Sequence, residues 1–220
     1  MALRHTLHAT LLAATLAFGC AALPDTVSAA PAATTAPSFA VTGNDALAGY
    51  ANSALDLWTK YSQTGSRPLL AQFDSIRDAV AAEAANRLGL NVAEMQAAWQ
   101  EADVEHQTAL MAAFTQLGTR YKAYAATPGV GFDCSGLTSW AWAQAGVSIF
   151  HQSRTQINNS IPVTRDTAQA GDLVYYPGHI MMYLGIDNAI IHSPNSGRSV
   201  EVSFVAKRRV NSVRFGDPTS

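Results

Sequence analysis

The stretch GDLVYYPGHIMMYLGIDNAIIH, residues 171–192, decides the fold. Leu173, Val174, Tyr175 and Tyr176 make an apolar, aromatic-rich run that stops at Pro177-Gly178, a turn signal. A second run stops at Gly185-Ile186-Asp187-Asn188, and a third follows at once. Short apolar runs punctuated by turn residues read as antiparallel neighbours, so the spacing predicts strands at 172–176, 180–184 and 189–192, with a fourth at 199–204. His179 opens the second strand and His192 closes the third. Because a hairpin joins those two strands, both imidazoles lie at one end of the pair.

Upstream the period changes from two to 3.6. Leu47, Ala51, Ala54, Trp58 and Tyr61 recur at helical spacing up to the turn signal Thr64-Gly65-Ser66-Arg67-Pro68. A second helix follows Pro68, with Leu69, Leu70, Phe73, Ile76, Val80 and Ala84 as its stripe and Gly89 just past its end. Asn91 with Glu94 three residues on is a capping-box start for a third helix, whose stripe runs Val92, Met95, Trp99, Ala102, Ala109, Ala113 and Leu117 to Gly118. A single short helix at 135–145 then precedes the strands. Helices first and strands second is the order of an α+β domain with an antiparallel sheet.

The rest of the chain sets limits. Its 220 residues are 48% hydrophobic and only 14% charged, which does not describe a disordered chain, and a net charge of −2 argues against nucleic acid as the main partner. Charge divides by region: residues 45–117 carry nine acids against four bases, and 118–220 nine bases against six acids. Two readings of this split stand, a solvated helical surface or an acidic layer docked on a basic one. At the N-terminus, Arg4 precedes an uncharged run to Pro24, and Val27-Ser28-Ala29 offers a small-residue cleavage site, the pattern of an export signal over 1–29. That run is too short and Ala-rich for a membrane span, and Ala17-Phe18-Gly19 is a poor approach to a lipidated Cys20, so the mature protein is expected outside the cytoplasmic membrane. Residues 30–43, rich in Pro, Thr and Ala, read as a linker. The expected organisation is signal 1–29, linker 30–43, a helical arm 44–104 and a catalytic unit 105–220.

Signal removal leaves Cys134 as the one cysteine, unable to form an internal disulfide. In Phe132-Asp133-Cys134-Ser135-Gly136-Leu137, Asp133 and Ser135 are helix-start residues, which puts Cys134 in a first turn. There the unpaired N–H groups and the helix dipole favour a thiolate and can receive an oxyanion. A thiol nucleophile needs a base. His5 and His8 leave with the signal, and His106, amid Glu101, Asp103 and Glu105, reads as part of a solvated helix face. His151, His179 and His192 remain, and the joint placement of the last two suits a base and the group that orients it. With one cysteine and no His-Glu-x-x-His, the ligand count for zinc is lacking, and neither metal nor cofactor is expected.

These landmarks resemble, in order, those of the NlpC-type cell-wall cysteine peptidases, papain-like hydrolases of peptidoglycan stem peptides, over roughly half the chain. Leu117-Gly118-Thr119-Arg120-Tyr121 is similar to the family's opening segment, Phe132 through Leu137 to its nucleophile motif, and Ser153 with Gln156 to the polar stretch that follows. Gly171 through Tyr176, Gly178-His179-Ile180 through Gly185, and Ile191-His192-Ser193 resemble its three central strands. The resemblance implies a papain-like α+β fold, Cys134 as nucleophile, His179 as general base and His192 as orienting residue. It also implies that Tyr121 borders the nucleophile, that Asp133, Ser135 and Ser153 line the substrate groove, and that His151 is a substrate contact; Asp133 as a helix cap and Tyr121 as core are alternatives. A thiolate–imidazolium pair and a thioacyl enzyme are expected, acting on the bond between γ-D-glutamate and the diamino acid. An N-acetylmuramoyl-L-alanine amidase on a related scaffold and a catalytically silent wall-binding or activator module are the alternatives, and the helical arm is read as a lid, a spacer or a dock for a cell-wall or division partner.

Two departures carry structural risk. Lys122-Ala123-Tyr124-Ala125 stands where the family has Trp-Gly-Gly, which predicts a differently shaped loop beside the cleft. The 13-residue span from His179 to His192 is one longer than is common; unless the turn absorbs the extra residue, the register slips and His192 points to the wrong face.

Overall fold

The computed structural model describes residues 42–219. The expected export signal and nearly all of the expected linker lie outside the described residues.

Four helices come first. α1 (Ala46–Thr64) starts at Asp45, whose carboxylate accepts the Leu47 N–H at 2.9 Å, and stops at Gly65, in the left-handed conformation a helix C-cap requires. α2 (Arg67–Leu88) carries Pro68 in its first turn, where the missing N–H is not needed, and ends at Gly89. α3 (Val92–Glu101) is capped by the Asn91 side chain on the Glu94 N–H. The expected third helix does not, however, run on to residue 117. It breaks at residues 102–103, both extended, and α4 (Val104–Thr115) starts afresh. Gln169 holds the break: its side-chain oxygen accepts the Asp103 N–H at 2.8 Å and its amide donates to the Asp103 carboxylate at 2.9 Å.

The break resets the helical phase, and this corrects the reading of His106. Instead of facing solvent, it is fully buried, 3.0 Å from Asp172 and edge-on to Trp142.

After α4 the chain forms a small hairpin, β1 (Ala126–Thr127) and β2 (Gly131–Phe132), then α5 (Cys134–Gln144) and α6 (Ser153–Asn159). Six strands follow: β3 (Ile161–Val163), β4 (Leu173–Tyr176), β5 (His179–Tyr183), β6 (Ala189–His192), β7 (Glu201–Phe204) and, after a 3-10 helix (Lys207–Ser212), β8 (Arg214–Asp217). They make one antiparallel sheet in the order β3-β8-β4-β5-β6-β7. The four predicted strands are its centre and one edge; β3 and β8, with Pro162 and Gly216 in their short runs, carried no strand signal. The fold is α+β, as expected.

Residues of β5 alternate between two apolar clusters. Ile180 and Met182, with Leu184 just beyond, join the main core with all five of the first helices, while Met181 and Tyr183 pack on the other face with Val174, Ile190 and Phe215. The described residues fall in one compact unit, and the main core runs without interruption across the expected 104/105 boundary. What joins helices to sheet is apolar packing plus hydrogen bonds such as Trp99 Nε1 to the Leu184 carbonyl, 2.9 Å. Among the described residues no Lys or Arg forms an ion pair between α1–α4 and the sheet, so the charge split does not do the docking. α3 meets β5 at Leu184 and Gly185, the end of the strand opposite His179. No helix among the described residues is long and apolar enough to cross a membrane.

Candidate active site

Cys134 is the first residue of α5, and Asp133 is its N-cap. One Asp133 oxygen accepts the Gly136 N–H at 2.7 Å, the Ser135 hydroxyl at 3.1 Å and His151 Nε2 at 2.9 Å. The first turn is thereby locked from the side chain outward, and Gly136 is required within it: a Cβ there would lie 2.1 Å from the Ala125 carbonyl oxygen. Gln156 braces the same turn from α6. Its amide donates to the carbonyls of Ser135 and Phe150 at 2.9 and 2.6 Å, and its oxygen accepts from Thr138 at 2.7 Å. Ser193, just past β6, donates to the Phe132 carbonyl at 2.7 Å and so ties the histidine strand to the segment that delivers the cysteine.

The two histidines meet. His179 Nε2 and His192 Nδ1 are 2.8 Å apart and share one proton, with the rings tilted at 70°. The register did not slip. Met182 pairs with Ile191 and Tyr183 with Ile190, and in the connecting turn Gly185 and Asp187 both take positive φ. Both side chains therefore share a sheet face.

Backbone N–H groups of Ile180, Ser135 and Cys134 itself favour negative charge on Sγ. The Ile180 amide is the one that follows His179, so the thiol lies against the start of β5. Burial nevertheless dominates: it pushes the Cys134 thiol up, His179 down to about 4 and His192 down to about 3, the latter helped by the charges of His179 and Arg198. Burial thus works against the charged form of each group, while the three N–H groups work for the thiolate that the sequence leads one to expect.

Of the other expected contacts, Asp133, Ser135 and His151 are brought together around the first turn of α5, the first two buried and fully occupied in holding it. Tyr121 forms an isolated backbone bridge to Phe132, and burial, then the charges of Cys134 and Asp133, push its phenol up. Ser153 only opens α6 and makes no side-chain hydrogen bond among the described residues. In the loop after Tyr121, Tyr124 adopts φ of 57° and is 95% exposed, a left-handed backbone carrying an aromatic ring. Gln156 and Ser193 appear in the sequence motifs, but their bracing roles join residues 21 and 61 positions apart, which no local pattern announces.

Residues 118–216 match the NlpC/P60 family. Among curated proteins, a probable endopeptidase of Corynebacterium glutamicum is 43% identical over 93 residues, 41% of this chain and 44% of that protein. A gamma-D-glutamyl-L-lysine dipeptidyl-peptidase of Bacillus cereus is 38% identical over 87 residues, 36% of this chain and 26% of that protein. The chain thus spans less than half the length of these relatives. Among solved structures, an NlpC/P60 family protein from Bacillus cereus is 30% identical with a TM-score of 0.46, covering 51% of this chain and 39% of that one.

Proposed function

We propose that this chain, which carries an NlpC/P60 domain over residues 118–216, is an exported peptidoglycan hydrolase that cuts an amide bond of the stem peptide through a thioacyl enzyme. The observation that carries the reading is a helix-N-terminal thiol set against the start of β5, where His179 lies 2.8 Å from His192 of β6. Cys134 gives its proton to neutral His179 as Sγ attacks the carbonyl carbon, and the oxyanion is received by N–H groups at the start of α5. The tetrahedral intermediate expels the amine, which takes the proton back from His179. His179 then deprotonates a water that cleaves the thioester, releasing the carboxylate and restoring the thiol. His192 keeps the His179 ring in place by holding its Nε2. The bond between γ-D-glutamate and the diamino acid is the preferred target, a choice supported by the named activity of the Bacillus cereus relative.

Digestion of purified peptidoglycan by the wild-type protein and by Cys134→Ala, with fragments identified by mass, tests this. Disaccharide-bearing fragments ending in γ-D-glutamate, lost in the variant, are expected. Equal digestion by the variant would overturn the cysteine mechanism, and free stem peptides with intact L-alanine ends would assign the amidase activity instead.

A further inference from the structure

A neutral histidine in the orienting position leaves a problem of proton placement. For His179 to accept the thiol proton on Nδ1, its own proton must sit on Nε2 and be donated to His192 Nδ1. His192 must then carry its proton on Nε2. That nitrogen is buried and makes no hydrogen bond among the described residues, which leaves the required tautomer unfixed by any direct bond. Its facing carboxylate is Glu201 Oε1, 3.5 Å away, on the residue paired with His192 in the β6–β7 register.

We propose that Glu201 is a positioning residue for the reaction, holding the Nε2 proton of His192 and thereby the tautomer of His179. The proposal rests on the cysteine-hydrolase reading above. At 3.5 Å the contact is longer than a full hydrogen bond, as catalytic contacts often are before substrate closes the site. When the thiol proton reaches His179, the imidazolium donates through His192 toward a carboxylate, so negative charge faces positive across one intervening ring. Glu201 thus supplies what a neutral third residue lacks.

The other charged and titratable groups around the pair set the sign. Arg198, from the segment leading into β7, also bonds Glu201 and opposes protonation of His192. From β4 the Tyr176 ring lies against His179 with centroids 5.5 Å apart, and Arg209 of the 3-10 helix stacks on that ring. Cys134 faces from α5. Removing the Glu201 charge therefore leaves Arg198 uncompensated and disfavours the imidazolium twice over, whereas removing Arg198 frees the carboxylate for His192.

The test is the pH dependence of Cys134 alkylation by iodoacetamide in the full chain, read by the mass of the Cys134-containing peptide, for wild type, Glu201→Gln and Arg198→Gln. Glu201→Gln is expected to slow alkylation at pH 6 by about three- to tenfold, the gap closing as pH rises and the thiol ionises unaided. Arg198→Gln is expected to react as fast as wild type or faster. Coincident profiles for wild type and Glu201→Gln would overturn the proposal, and so would equal slowing in both variants, which would mark a general loosening of β7. Because alkylation needs no peptidoglycan, an inactive wild type whose Cys134 still responds to Glu201→Gln would refute the hydrolase reading and leave the relay standing.

Discussion

Asp172→Asn removes the carboxylate that faces His106 while keeping its shape. His106 Nε2 lies 3.0 Å from one Asp172 oxygen and 3.4 Å from Asp217, with His106 and Asp172 both essentially inaccessible to solvent. Burial works against the imidazolium, but the hydrogen bond and charge of Asp172, aided by Asp217 and Asp103, outweigh it and hold His106 above its ordinary pKa of 6.5. At an effective dielectric near 20, two charges this close attract by about 5 kcal/mol. Relief of the buried carboxylate offsets part of that, and the Asn oxygen keeps an acceptor, leaving an expected loss of about 2–4 kcal/mol. For a unit of this size that is a fall in Tm of about 5–15 °C, measured by circular dichroism. The sign with pH follows from the direction of the shift. A histidine whose folded pKa is raised contributes its full stability below the unfolded value and loses it as pH rises through the folded one. The gap between wild type and variant should therefore be widest near pH 6 and narrow toward pH 9. A gap under about 1 kcal/mol at pH 6, or one that grows with pH, would refute the assignment of His106 and Asp172 as a charged clamp.

Two other outcomes follow from the site. Since burial holds His179 at about 4, it stays an unprotonated base well into acid, and kcat/KM for stem-peptide cleavage should reach half its plateau on the acid side at about pH 4; an acid limb centred at the ordinary histidine value would refute burial as the control on this base. Gly136→Ala drives a Cβ to 2.1 Å from the Ala125 carbonyl and 2.9 Å from His151, and neither the backbone nor a ring bonded to Asp133 can yield cheaply. Urea unfolding should give a loss of about 1–3 kcal/mol together with reduced activity, and an unchanged midpoint would mean that the β1 segment moves freely from α5.

Local chemistry made the two histidine-bearing strands legible. Pro177-Gly178 and the Gly185 turn bound runs that could only be strands, and the two histidines fell at one end of them by counting. The cap at Asp133 placed Cys134 in a first turn for equally local reasons. What failed was phase across a break. The stripe from Val92 to Leu117 looked like one helix because its apolar spacing resumes after a gap, and only the tertiary hydrogen bonds of Gln169 to Asp103 force the interruption. His106 inherited the error, since a residue's face is known only as well as the helix start behind it. β3 and β8 were invisible for a different reason. β3 pairs with β8 and β8 with β4, so their strand character lies in partners about 40 or more residues away, not in alternation of their own side chains.

The three buried histidines among the described residues show what separates a structural imidazole from one available for chemistry. His106 has a carboxylate at full hydrogen-bonding distance, and its pKa rises; it is committed to its pair, and its role is to pin α4 to the sheet. His179 has only another imidazole, and its pKa falls. That leaves it neutral and able to take a proton, at the cost of making the imidazolium it then becomes expensive to hold. A carboxylate directly on His179 would ease that second state but would charge the ring at rest and spoil the base. Setting Glu201 one residue further out, behind His192 and already shared with Arg198, separates the two demands: its field is too weak to protonate His179 in the resting site, yet it is aligned to act once the thiol proton arrives.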